Sequence, residues 1–313
     1  MFSLLGGVFL GWSLGANDAS NVFGTAVSSK MLRFWTAACL ASCFVVLGAV
    51  ISGQAGIETL KGLTNFDIEQ AVISSVAAAL TVTLMTIFGL PVSTSQAVIG
   101  SILGIGFLNH QLNLQGLGKV VACWVGTPIG AAVVSIGLYY GLAALYNKLR
   151  LNLFQTDSLL RLSLIAAGSY GAYALGANNV ANVTAVFVGA GMLSVFIAAL
   201  VGGASISLGI LTFSRPVMET VGKKLVQLDP FSALVVVLAM AITMHTYTLV
   251  GVPVSSSQAV IGGVLGIGII KGVRTVNRRT LINILVAWML TPVLSCLMAL
   301  AIFFVIHLKY IPS

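Results

Sequence analysis

Apolar runs of membrane-spanning length, separated only by short polar joints, leave this chain few ways to fold. They cover roughly 2–28, 34–52, 70–89, 92–108 and 119–146 in the first half, and 161–188, 192–213, 231–250, 253–270 and 281–308 in the second. About 20 helical residues cross the hydrocarbon of a bilayer. There a backbone must satisfy its own N–H and C=O groups, which a helix does. Only 7% of the 313 residues are charged, against roughly a quarter in a soluble domain. The expected class is an all-α integral membrane protein in contact with the lipid bilayer, with no separate soluble domain.

Charge supports this reading and removes others. The net charge is +8, but no basic face interleaves with stacking aromatics, so nucleic acid is not an expected partner. Basic residues sit in the joints. If the chain alternates sides, Lys30, Arg33, Lys148, Arg150, Arg161, Arg215, Lys223, Lys224, Lys271, Arg274, Arg278 and Arg279 collect on one face. Lys61, Lys119 and Lys309 collect on the other. The richer face is expected in the cytoplasm, with both termini outside the cell membrane. Met1 to Leu10 has no basic leader region, so no cleavable signal peptide is expected. Cys39, Cys43, Cys123 and Cys296 lie in apolar stretches without a CxxC, and the three His are scattered. Neither a metal centre nor a resident cofactor is expected.

The two halves repeat. Leu14-Gly15-Ala16-Asn17-Asp18-Ala19-Ser20-Asn21-Val22 returns as Leu175-Gly176-Ala177-Asn178-Asn179-Val180-Ala181-Asn182-Val183. Pro91-Val92-Ser93-Thr94-Ser95-Gln96-Ala97-Val98-Ile99-Gly100 returns as Pro253-Val254-Ser255-Ser256-Ser257-Gln258-Ala259-Val260-Ile261-Gly262, and Trp124…Thr127-Pro128 as Trp288…Thr291-Pro292. The organisation is a first repeat over 1–147, a short cytoplasmic linker over 148–160 and a second repeat over 161–313. Each half has an odd number of crossings, five if the hairpin arms span and three if they do not. The second copy is then inverted, the architecture of many secondary transporters with a site at the midplane. Pro91 and Pro253 forbid a straight helix and mark helical hairpins, and Gly15 permits an interruption of the first helix. Each repeat is expected to hold a broken helix and a hairpin.

Proline suits a first helical turn, so Ser93, Thr94 and Ser95 fall at a helix N-terminus, where free N–H groups and the helix dipole attract an oxyanion. Ser255, Ser256 and Ser257 build the same nest from the other repeat, and Gln96 and Gln258 stand just behind. Asp18 is the one carboxylate inside an apolar run, where an ion is costly and functional by default. Asn17, Asn21, Asn178, Asn179 and Asn182 add amide oxygens, hard ligands suited to Na⁺. A phosphate dianion plus Asp18 brings about three negative charges, while a helix dipole supplies about half a charge. Cations must then enter with the anion. One buried acid cannot form a carboxylate dyad and no His accompanies the serines, so an enzyme is not expected.

On these residues the chain resembles the inorganic phosphate transporter family of PiT-type permeases. Its hallmark, Gly-Ala-Asn-Asp-x-x-Asn, stands here as Gly15-Ala16-Asn17-Asp18-Ala19-Ser20-Asn21, and its Pro-Val-Ser-containing tips as Pro91 to Ser95 and Pro253 to Ser257. The resemblance implies cation-coupled symport of inorganic phosphate as a homodimer. It implies that Asp18, Asn17, Asn21, Asn178 and Asn182 serve cations and substrate, with the tips on phosphate. Asn179 stands where the family often carries Asp, and Gln96 and Gln258 where it often carries His. Both departures favour Na⁺ over H⁺. A sulfate or other oxyanion permease of the same fold is the alternative.

Overall fold

The computed structural model describes residues 2–63, 65–87, 92–109, 112–224, 228–272 and 278–308. Among them every regular element is a helix. After a 3₁₀ turn at Phe2–Leu4, the first half runs α1 (Leu5–Ser28), α2 (Phe34–Ser52), α3 (Gln54–Lys61), α4 (Ile68–Ile87), α5 (Thr94–Leu108) and α6 (Leu114–Lys148). The second half runs α7 (Leu153–Gly189), α8 (Val195–Lys224), α9 (Pro230–Leu249), α10 (Ser256–Lys271) and α11 (Arg278–Leu308).

Six of these, α2, α4, α6, α8, α9 and α11, are long and apolar enough to cross a membrane. The helices carrying the Asn motif, α1 and α7, are long enough too, but glycine, serine and amide side chains dilute their apolar character. They are buried instead by neighbouring helices. At 15 and 16 residues, α5 and α10 rise only about 23 Å, short of the ~30 Å hydrocarbon. They are return arms of hairpins whose longer arms are α4 and α9. Pro91, expected at the first tip, lies outside the described residues.

The halves pack across one another. Helix α1 lies chiefly along α8 and α2 along α7, while α5 rests on α11 and α10 on α6. The return arms make these contacts at glycine. A Cβ at Gly100 would stand 2.2 Å from the carbonyl oxygen of Pro292, and one at Gly262 2.2 Å from that of Pro128. Neither backbone could come so close with a larger residue.

One expectation, the broken helix, is corrected. Helix α1 is not interrupted, and α7 too runs unbroken through its motif. Gly15 is used for packing: a Cβ there would meet the Ile206 carbonyl oxygen at 1.9 Å. An intact helix keeps its main-chain bonds, so the Asn and Asp side chains alone face the site. The polar joint after α2 holds a helix, α3, set off by Gly53. Of the stretch 148–160, only 149–152 is outside helix, because Asn152 and Gln155 form a reciprocal capping box that starts α7 early.

Proline alone does not explain the hairpins, since Pro128, Pro216 and Pro292 lie inside continuous helices. The second hairpin turns because Gly251 adopts φ +78°, a left-handed conformation that glycine tolerates, and because a side chain from α7 satisfies the opened backbone.

Candidate functional site

That side chain is Asn178. Its Oδ1 accepts from the Val254 N–H at 2.9 Å, and its Nδ2 donates to Thr248 Oγ1 at 3.0 Å and to the Val252 carbonyl at 3.4 Å. With both ends of its amide engaged, Asn178 braces the second hairpin. Asn17, its counterpart, donates to Thr86 Oγ1 at 2.9 Å. Thr86 and Thr248 went unnoticed in the sequence, yet each stands five residues before its hairpin proline, so the repeat carried the signal.

The other motif residues reach across to the opposite repeat's tip. Asn21 Nδ2 on α1 donates to Ser256 Oγ at 3.0 Å, and Ser256 donates its hydroxyl to Asp18 Oδ2 at 2.9 Å. Asn182 Nδ2 on α7 donates to Ser95 Oγ at 2.9 Å and to Asn179 Oδ1 at 2.9 Å. The tips also touch each other reciprocally. Ser95 donates to the Val254 carbonyl and Ser257 to the Val92 carbonyl, at 3.0 and 3.2 Å. Ser93 and Ser255 cap their helices by accepting from the Gln96 and Gln258 amides. The two positive helix ends and the two Asn-bearing helices thus converge on one locus.

The electrostatics of that locus are one-sided. Asp18, 2% exposed, is the only buried charged side chain among the described residues. No lysine or arginine with a described side chain contacts it. Lys119 donates to the Val250 carbonyl at 3.4 Å, while Arg215 pairs with Glu219, Lys61 with Glu58 and Lys271 with Asp229.

Eleven buried side-chain polar atoms in the described residues lack a hydrogen-bond partner, and six belong to this site: Asp18 Oδ1, Asn182 Oδ1, Gln96 Oε1, Gln258 Oε1, Thr94 Oγ1 and Asn179 Nδ2. An unmet buried polar atom costs about 1–3 kcal/mol, so their concentration at one place points to a ligand. Four are amide or carboxylate oxygens, hard acceptors that fit a cation such as Na⁺. Asn179 accepts from Asn182 at its oxygen and leaves its Nδ2 unmet. Gln96 and Gln258, expected behind the tips, present unmet oxygens of their own. No cluster of three or more His, Cys, Asp or Glu able to hold a metal occurs among the described residues.

Comparison with known proteins identifies the family and the fold. A sequence profile of the Phosphate transporter family matches residues 14–299. A Methanocaldococcus jannaschii protein bearing the provisional name phosphate permease is 28% identical over 94% of this chain and 93% of its own length. The sulfate permease of Bacillus subtilis is 29% identical over 94% of this chain and 84% of its own. A solved structure titled the sodium-dependent phosphate transporter superposes with a TM-score of 0.85 at 24% identity, covering 98% of each chain.

Proposed function

We propose that this chain, which belongs to the phosphate transporter family, moves inorganic phosphate across the cell membrane in symport with Na⁺. The family is one of transporters, not enzymes. The observation that carries the proposal is the set of unmet buried oxygens on Asp18, Asn182, Gln96 and Gln258 beside two serine-capped helix ends.

The first-turn amides of Thr94, Ser95, Ser256 and Ser257, with the serine hydroxyls, receive the anion. Phosphate bound as the dianion carries two negative charges and Asp18 a third. The two tips return about one positive charge. About two monovalent cations are left to balance the site, and the unmet oxygens receive them. Neither solute is stable there alone, so each is bound and carried with the other. Asp18 can also accept a hydrogen bond from a protonated phosphate oxygen, which sulfate does not offer.

The two halves act as inverted repeats, 1–147 and 161–313, with the linker 148–160 in the cytoplasm and both termini outside. The molecule works as a homodimer. Labelled phosphate uptake into proteoliposomes, driven separately by a sodium and a proton gradient, tests the coupling: the sodium gradient drives uptake, and uptake that ignores sodium overturns the reading. Sulfate transport is the second reading, favoured by the Bacillus subtilis relative; full competition by equimolar sulfate would establish it.

A further inference from the structure

Ser256 and Asp18 hold one half of the site closed, through a hydroxyl-to-carboxylate bond of 2.9 Å. The positions that repeat them are Thr94 and Asn179. Both are buried, at 2% and 1% exposure, and both are unmet, at Thr94 Oγ1 and Asn179 Nδ2. One bond is formed and its counterpart is open. At the neighbouring position Asn178 brackets Val252 and Val254 of the second hairpin. Asn17 reaches Thr86 on the first, where Leu90, the counterpart of Val252, lies outside the described residues.

We propose that Thr94 and Asn179 are positioning residues that form the open half of a two-position latch. When Ser256 leaves Asp18, Asn179 Nδ2 donates to Thr94 Oγ1 and holds the first hairpin as Ser256 now holds the second. The structure is then one of two related states, with the Ser256–Asp18 half of the latch closed and the Thr94–Asn179 half open.

The two halves differ in chemistry, and the difference gives the exchange a direction. Ser256 donates to a carboxylate, a charge-assisted bond stronger than a neutral one. Asn179 offers only an amide to a hydroxyl. The fastened second hairpin is therefore the resting state of an empty carrier. A cation at Asp18 draws on the same carboxylate charge, weakens its hold on Ser256, and brings the two latches closer in energy. This deepens the symport reading above and rests on it: loading at Asp18 is what permits the exchange.

The test uses the full chain in proteoliposomes, with Cys39, Cys43, Cys123 and Cys296 replaced by Ala, carrying Thr94→Cys and Asn179→Cys. Oxidation is expected to join the pair severalfold faster with Na⁺ and phosphate present than without. Equal yield in all conditions, or none in any, overturns the latch. Thr94→Val and Asn179→Ala, in the native background, are each expected to slow net uptake by about tenfold, the loss of one buried hydrogen bond. The half-saturation for phosphate should barely move, and the double variant should be no slower than either single one. A raised half-saturation with an unchanged maximal rate overturns the proposal by making the pair phosphate ligands, and no change in either overturns it too. If the unsubstituted chain takes up no phosphate, the symport reading falls. The cross-linking yields with and without Na⁺ still decide whether the latch exists.

Discussion

The hairpins α4–α5 and α9–α10 are copies of one design, yet they are held very differently. The second is pinned at its tip by Asn178, at its first turn by Asp18 and Asn21 acting on Ser256, and at the Val250 carbonyl by Lys119. It is closed at its base by the Lys271–Asp229 ion pair. The first, whose tip residues 88–91 lie outside the described residues, is held by Asn17 acting on Thr86, by Asn182 acting on Ser95, by Ser74 with Ser101, and by the Ser95–Val254 and Ser257–Val92 contacts that the two tips share. Its base has the equivalent cap, with Gln70 N–H donating to Asp67 at 2.9 Å, but Asn109 stands where the second hairpin has Lys271. Sequence identity between repeats therefore does not give equal anchoring. A few exchanged side chains, Asp18 for Asn179, Ser256 for Thr94 and Lys271 for Asn109, decide which hairpin is fastened.

Substitutions that remove the fasteners one at a time test this contrast. Asp18→Asn is the most severe: it removes the charge proposed to call in a cation and weakens the hold on Ser256. Uptake against a gradient is expected to vanish while the protein still inserts, and gradient-driven accumulation by this variant would end the coupling argument. Asn178→Ala leaves the opened backbone at Val252 and Val254 unmet and should cost about 2–3 kcal/mol. Asn17→Ala removes its one bond among the described residues, to Thr86, and should cost about 1 kcal/mol; thermal unfolding in detergent ranks the two, and equal losses would show the hairpins to be equally braced. Ser93→Ala and Ser255→Ala each remove a helix cap and a candidate phosphate donor, raising half-saturation by about tenfold. If neither does so, the tips only pack.

The smallest effect lies at the base of the second hairpin. Burial pushes the Asp229 carboxyl up, but hydrogen bonds from Lys271 and Ser232 outweigh it and hold the group below the ordinary carboxylate range. Its contribution is therefore complete above about pH 4 and fades as pH falls through the lowered value. The pair is half exposed, so Lys271→Met is expected to cost under about 1 kcal/mol at neutral pH. That difference should shrink in acid; a cost that persists there would assign it to the contact of Lys271 with the Tyr139 ring.

Much of this was legible in the sequence, and what was not has definite physical causes. Run lengths located the helices because lipid demands internally bonded backbone. Offsets between Asn17 and Asn178, or Ser93 and Ser255, exposed the two copies. Residue type, however, does not say which end of an amide is occupied. Asn178 and Asn179 read as cation ligands, yet the first spends its oxygen on Val254 N–H and the second on Asn182. Gly15 read as a weak point in α1 and proved to be a contact surface for α8. These outcomes depend on which helix lies opposite, and a single helix's sequence does not contain that information.

The contacts of Gly100 with Pro292 and of Gly262 with Pro128 also bear on biogenesis. Ribosomal synthesis delivers α6 before α10, so the second return arm emerges with its berth already in place. The first return arm must wait, without its main neighbour, until the last helix has entered the bilayer. Chains cut short before α11 should therefore leave α5 unberthed and exposed to quality control, whereas the second arm would already be seated.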